Sequence, residues 1–397
     1  MSQIIGRQSC VKWIGLEPAW KLRNTAYIRG LLEFPPEGYR FAPVGKIEQT
    51  SWSAISKLPY VFSVQEELGE YFPLPLLKSL LDLTKRVPSK TALTYALDHL
   101  VFRNESWVLE MTFEPPSTLC GGEANLRKYT SVARRILSSA RCKHIFCQTK
   151  VGLDAMVLEF GKEIQWKSSL VPPAGFPHYF PRKESDKTCL LFVNSSNINT
   201  YNSFYIKGGA EVIESFLLLR KSFDKIELIL RSPVPDCYKQ RLRGIKEVRL
   251  IEKPVTFNEM TKVWMSADIL VQPHHTTMPY TIIDAMGYGL PVISSDAWGT
   301  PEIVRDGVTG LLVHDPLAAE YTTGPTIHLT KEFRKRLILG AQPEMVKGLV
   351  DSISRLIDNK SLANAMGDAG RLEVASGSLS IGKRNRAIKA VLDAEVC

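Results

Sequence analysis

The sequence predicts an α/β protein of two domains, each built on a parallel sheet. Three observations carry this expectation. At 397 residues the chain is too long for one ordinary hydrophobic core. In its second half, short apolar runs alternate with amphipathic stretches across short turns, the pattern of strand–helix units covering both faces of a parallel sheet. Between the halves, "VPPAGFPHYFPRKESDK" (171–187) carries four prolines and a polar tail, a composition that suits a stiff connection.

Taken in order, "LPLLKSLLDLTKR" (74–86) and "NLRKYTSVARRILSSARC" (125–142) read as amphipathic helices. "WVLEMTF" (107–113), "HIFCQT" (144–149) and "LVP" (170–172) read as strands. In the second half the strands are "CLLFV" (189–193), "KIELILRS" (225–232), "DILVQP" (268–273), "PVISS" (291–295) and "TGLLV" (309–313). Helices are expected at "KGGAEVIESFLLLRKSF" (207–223), "FNEMTKVWMSA" (257–267), from Thr276 or Thr277 onward, and at "TPEIV" (300–304). "ASGSLS" (375–380) breaks the pattern before a last helix, "KRNRAIKAVLDAEV" (383–396).

Hydrophobic content of 44% with 23% charged residues belongs to a folded globular chain. Fifty Lys and Arg against 41 Asp and Glu give a net charge of +9, which suits an anionic substrate, an anionic membrane surface or RNA. No aromatic–basic motif supports nucleic acid, so none is expected as a partner. No apolar run has the length to cross a bilayer, and the start lacks a signal-peptide core, so a cytoplasmic protein is expected. Seven scattered cysteines read as reduced thiols. Cys142, His144 and Cys147 lie close together without a second ligand pair at finger-like spacing, and no metal or cofactor is expected.

Arg127, Arg134 and Arg141 recur every seven residues beside Lys128 and Arg135, forming one basic stripe. It reads as a solvated helix face or as a peripheral contact with an anionic membrane. "KEFRKR" (331–336) carries the same two readings.

The segment that carries chemistry is "MPYTIIDAMGYGLPVISSDAWGTPEIVRDGVTGLLV" (278–313). It sets Asp284 among apolar residues near a helix start, four residues after Tyr280 and on the same face. An acid there either complements the helix dipole or meets a ligand beyond the end of the preceding strand.

The run Asp284-Ala-Met-Gly-Tyr-Gly-Leu-Pro-Val-Ile, followed by Gly299, Glu302, Gly307 and Gly310-Leu-Leu-Val, resembles the donor-binding segment of glycosyltransferase family 4, the group 1 glycosyltransferases. The resemblance implies two Rossmann-like domains facing across a cleft, the B-type glycosyltransferase fold. Residues 1–172 would form the acceptor domain and 186–374 the donor domain, with a terminal helix (382–395) packing back on the first. It also implies a retaining, metal-independent transfer of a sugar from a nucleotide-diphosphate donor, the co-substrate, to a glycan, lipid-linked or other hydroxyl acceptor. The sequence contains no Asp-x-Asp, the metal-holding pair of other glycosyltransferases.

Carried over residue by residue, the family's second acid falls on Asp284, which would accept the donor's ribose hydroxyls. The first, seven residues earlier, falls on Thr276, which supplies no charge. The amide loop of the family falls on Met278-Pro279-Tyr280-Thr281, where Pro279 has no N–H. The phosphate-binding arginine is missing, since Asn194-Ser195-Ser196 stands in its place. Lys207-Gly208 matches the phosphate lysine, and Arg231 at a strand end is a candidate for the second cation. The first domain of the family often supplies a histidine; here the strand end carries Glu110 and Glu114, candidates to orient the acceptor or act as base. His274 and His275 stand at the mouth of the cleft, His274 being taken to touch the sugar. The departures leave a second reading, a degenerate subunit that binds nucleotide or glycan without turnover.

Overall fold

The computed structural model describes residues 11–17, 26–44, 91–113, 116–121, 123–181, 185–194, 201–253, 255–318 and 331–396, with isolated positions between 73 and 87. The expected helix at 74–86 lies largely outside the described residues, as do Glu114, Ser195 and Ser196.

Two six-stranded sheets, parallel throughout, form the two domains. The first has strands β1 (Lys12–Glu17), β2 (Tyr39–Pro43), β3 (Thr91–Leu97), β4 (Trp107–Met111), β5 (Cys142–Cys147) and β6 (Ser168–Leu170), in the order β2-β1-β3-β4-β5-β6. The second has β7 (Thr188–Val193), β8 (Ile226–Arg231), β9 (Val248–Leu250), β10 (Ile269–Gln272), β11 (Val292–Ser295) and β12 (Gly310–Val313), in the order β12-β11-β10-β7-β8-β9. In the second sheet the chain winds one way from β7 through β9, then returns to the other side of β7. The order reverses between β7 and β10, and loops that leave neighbouring strands in opposite directions open a crevice there.

Strands buried on two faces read as continuous apolar runs, and the core shows why. On β7, Leu190 and Phe192 belong to one cluster while Cys189, Leu191 and Val193 belong to another on the opposite face. On β4, Leu109 and Met111 pack one side and Val108 the other.

The helices of the first domain include α1 (Ala26–Glu33), α2 (Glu123–Ser138) and α3 (Lys150–Phe160), the last followed by a 3-10 helix, Lys162–Lys167. In the second domain, α4 (Tyr201–Ile206) and α5 (Gly209–Leu219) follow β7, α6 (Asp236–Leu242) follows β8, and α7 (Phe257–Ser266) precedes β10. Helix α7 opens on a capping box, Thr256 and Glu259 each bonding the other's backbone N–H. Then come α8 (Thr281–Gly287), α9 (Thr300–Ile303), α10 (Lys331–Ile338), α11 (Pro343–Asp358), α12 (Lys360–Ala375) and α13 (Ile381–Glu395).

One expectation is corrected. Helix α8 begins at Thr281, after a half-buried Tyr280 whose side chain makes no cap, so neither Thr276 nor Thr277 caps it. The 171–181 stretch is held by backbone bonds: Gly175 N–H donates to Leu379 O (3.2 Å) and His178 N–H to Gly287 O (2.8 Å). Gly287 is required there, because a Cβ would stand 2.3 Å from the Phe176 carbonyl oxygen.

Helix α13 returns to the first domain. Ile388 and Leu392 join the cluster of Ile14, Leu16 and Leu93. The fully buried Arg384 donates to the carbonyls of Gly30 and Phe34 at the end of α1, and Asp393 accepts from the Tyr39 hydroxyl at 2.8 Å.

Candidate functional site

At the reversal the ends of β7 and β10 lie side by side, with β8 on the other side of β7. Where the resemblance leads one to seek an arginine, Asn194 ties the end of β7 to the end of β8 and to α4. Its Oδ1 accepts from Ser203 Oγ (2.7 Å), its Nδ2 donates to Ser232 Oγ (3.2 Å), and its carbonyl accepts from Arg231 Nη1 (2.9 Å). Arg231 is buried, its Nε has no partner, and among the described residues no carboxylate pairs with it. Burial alone acts on the guanidinium and lowers its pKa. A buried cation without a counter-charge is costly unless an anion completes it.

Lys207 stands just before α5 and donates from Nζ to Thr277 O at 3.2 Å, so its ammonium lies against the loop after β10. Gly208 is left-handed (φ +80°), and a Cβ on it would stand 2.1 Å from the Pro273 carbonyl oxygen. Glycine is therefore demanded by the protein's own backbone at this point.

The loop after β10 holds both histidines, and both are fully buried. His274 places Nδ1 3.0 Å from Gln272 O and Nε2 2.8 Å from Thr300 Oγ1; burial pushes its pKa down to about 3, so the ring is neutral. With both nitrogens engaged in the interior, His274 presents nothing to a sugar. This corrects the expectation placed on it. His275 sits between Glu211 and Asp315, each 3.3 Å away. Burial works against its charge, but the two carboxylates prevail and raise its pKa to about 10. It is a buried imidazolium joining α5 to the segment after β12.

Thr276 is buried, and Met278 is a core residue packed with Ile282 and Met286. Tyr280 is half-buried; its ring lies 4.8 Å from Phe113 of the first domain and its hydroxyl donates to Gln148 Oε1. Thr281 Oγ1 is buried without a hydrogen-bond partner among the described residues.

Asp284, one turn further, is half-buried, and no described group donates a hydrogen bond to its carboxylate. Burial pushes its pKa up to about 7, against the pull of Arg29 from α1 of the first domain. Arg29 itself lies between two rings, 4.9 Å from the centroid of Phe176 and 5.0 Å from that of Phe257. The acid therefore stands where the domains meet, turned neither into a sealed core nor to bulk water.

Glu110 is a further correction. It is fully buried in β4, accepting from Tyr95 Oη (2.5 Å) and from Gln148 Nε2 (2.6 Å). It holds no acceptor; it holds Gln148, which holds Tyr280 across the domain boundary. Its place at a strand end suggested the cleft, but nothing in the local sequence shows that Tyr95 and Gln148 enclose it.

Sequence reasoning missed Arg29, Gln148 and the role of Glu302. Glu302 lies inside the quoted segment, yet its partners are some 150 residues away, the amides of Lys150 and Val151. Only the local Thr149-x-x-Gly152 cap of α3 was readable from the chain.

Among the described residues no group of three or more His, Cys, Asp or Glu side chains is arranged to hold a metal ion. Cys142 and Cys147 are buried in β5 with thiols pushed up by burial, and His144 meets Ser169 Oγ at 2.8 Å.

Residues 196–323 match the family described as "Glycosyl transferases group 1". Among curated relatives, a D-inositol 3-phosphate glycosyltransferase of Mycolicibacterium gilvum is 35% identical over 72 residues, 18% of this chain and 16% of the relative. One from Streptomyces scabiei is 36% identical over 78 residues, 19% of this chain and 18% of the relative. The matches thus span less than a fifth of those relatives' length. Among solved structures, Anabaena Alr3699/HepE in complex with UDP and glucose aligns with a TM-score of 0.58 at 14% identity, covering 97% of this chain and 100% of its own. Sucrose-phosphate synthase of Thermosynechococcus elongatus aligns at 0.56 and 14% identity, covering 96% and 98%. At such identities the likeness establishes the fold, two Rossmann-like domains of the B-type glycosyltransferase architecture.

Proposed function

We propose, from the premise that this chain carries a group 1 glycosyl transferase domain, that it transfers a sugar from a nucleoside-diphosphate donor to a hydroxyl acceptor. The observation that carries the reading is Asp284: a half-buried carboxylate at the domain boundary, with no hydrogen-bond donor among the described residues. A pair of ribose hydroxyls supplies the donors such an oxygen pair lacks.

Lys207, just before α5, and the uncompensated Arg231, at the end of β8, supply positive charge. Breaking the sugar–phosphate bond builds negative charge on the departing diphosphate, and fixed cations lower that barrier. The reading is of a retaining transfer that needs no metal, the acceptor hydroxyl attacking from the face the diphosphate leaves. The acceptor is a glycan or lipid-linked hydroxyl, and contact with an anionic membrane belongs to the same reading. Because Anabaena Alr3699/HepE was solved with UDP and glucose, uridine diphosphate sugars are the first donors to try.

A second reading, a subunit that binds nucleotide or glycan without turnover, draws on Thr276, a buried threonine where the family carries an acid. One experiment separates them. Thermal shifts with UDP, GDP, ADP and CDP and their sugar conjugates identify the ligand. Release of free nucleoside diphosphate from that donor, abolished by Asp284→Ala, supports the transferase; a shift without release supports the binding subunit. No shift with any of them defeats both.

A further inference from the structure

We propose that the first domain docks on anionic bilayer lipid through the surface formed by the ends of α2 and α3 and the 3-10 helix between α3 and β6, with Trp166 as its anchor. The inference deepens the transferase reading, since a lipid-linked acceptor presents its hydroxyl at such a surface.

Trp166 is 93% exposed and Leu158 is 71% exposed. Large apolar side chains left this far in water mark a surface that meets something other than water, and Leu170, at the end of β6, is exposed as well. The three elements lie side by side. Lys167, next to Trp166, donates from Nζ to the carbonyls of Ser139 (2.9 Å) and Cys142 (2.8 Å) just beyond α2. Arg134 of α2 donates to Glu159 O (3.3 Å) at the end of α3.

Around these apolar groups the charge is mostly of one sign. Arg134, Arg135, Arg141, Lys143 and Lys162 all have solvent access, with Asp154, Glu159 and Glu163 as the carboxylates among them, Asp154 being paired with Lys150. An indole prefers the headgroup boundary of a bilayer, where its ring is apolar and its N–H stays wet. Basic side chains beside it meet anionic headgroups, and the two attractions add. A nucleic acid would use the cations but leave Leu158 and Leu170 in water, which is why lipid is the better occupant. No described helix is long and apolar enough to cross a membrane, so the contact is peripheral.

The test is co-sedimentation of the full chain with phosphatidylcholine vesicles, with and without phosphatidylglycerol. The protein is expected to bind the anionic vesicles at least roughly tenfold more tightly than the neutral ones, and added salt weakens the binding. The Trp166→Ser/Leu158→Ser variant, and separately Arg134→Glu/Arg135→Glu, are expected to abolish most of it. These side chains are exposed, so the melting temperature and the shift with nucleotide sugar stay as in the parent. Failure of the parent to bind anionic vesicles, or undiminished binding by the Trp166→Ser/Leu158→Ser variant, overturns the proposal. So does equally tight binding of heparin that is indifferent to Trp166, which would mark a polyanion surface instead. Because the nucleotide-sugar readout uses the other domain, either failure leaves the transferase reading standing.

Discussion

The carboxylate of Glu302, in the second domain, accepts the backbone N–H of Lys150 at 2.5 Å, at the first turn of α3 in the first domain. Its other oxygen takes the next amide, Val151, at 3.0 Å, and Thr149 Oγ1 takes the amide of Gly152 at 3.2 Å. One domain thus caps a helix of the other, filling N–H groups that a helix start leaves without partners. Glu302→Ala should cost about 1 kcal/mol, the size of a lost N-cap. Urea denaturation followed by probes in each domain reads this out; the first domain's transition should move while the second's holds.

Gln148 and Tyr280 form the second cross-domain contact. Tyr280→Phe removes a single hydroxyl, with an expected loss of about 1 kcal/mol. Gln148→Ala should cost more, about 1–3 kcal/mol, because it also strips a donor from the buried Glu110. A double-mutant cycle should return a non-zero coupling energy; strict additivity would mean that the two side chains do not meet in solution.

On the proposed transferase reading, the raised pKa of Asp284 sets a pH dependence for donor binding. Its carboxyl goes from an ordinary 3.8 to about 7, so the acceptor form wanes as pH falls through 7. Affinity for the donor, measured by titration from pH 8 to pH 6, should fall over that range. For stability the sign is opposite. The native state holds a proton that the unfolded chain releases between 3.8 and 7, so this group makes the fold less stable as pH rises across that window. Asp284→Asn should therefore melt higher than the parent at pH 8 while losing the donor-induced shift.

His275 works the other way. Its native pKa of about 10 stands above the ordinary 6.5, so its contribution is complete below 6.5 and is lost as pH rises through 10. His275→Leu leaves Glu211 and Asp315 buried without the cation between them, and the expected loss is about 3–5 kcal/mol at pH 7. Chemical denaturation of both proteins at pH 7 and pH 10 should show that gap narrowing at the higher pH.

Gly208→Ala tests whether the glycine serves ligand or backbone. With φ at +80° and Pro273 O in the way, the variant should lose well over about 1 kcal/mol of stability in the ligand-free protein. Unchanged melting with weakened donor binding would mean that the glycine serves phosphate instead.

The sequence by itself determined the α/β class, the strands of the second domain other than the short β9, and the place of Asp284 in a segment that matches the group 1 glycosyl transferase family. Those are local quantities, written in apolar periodicity and in the spacing of one continuous stretch. Tertiary structure alone decided which polar residues face the cleft. His274 and Glu110 stand beside strand ends as a ligand-binding residue would, yet each is enclosed by partners from distant positions, Thr300 for one and Tyr95 with Gln148 for the other. The charge of Arg29 acts on Asp284, and Glu302 bonds Lys150, only because two domains close on each other. The physical reason is that burial, and with it the charge state of every candidate group, depends on what the chain brings back from far away, and no window of neighbouring residues contains that.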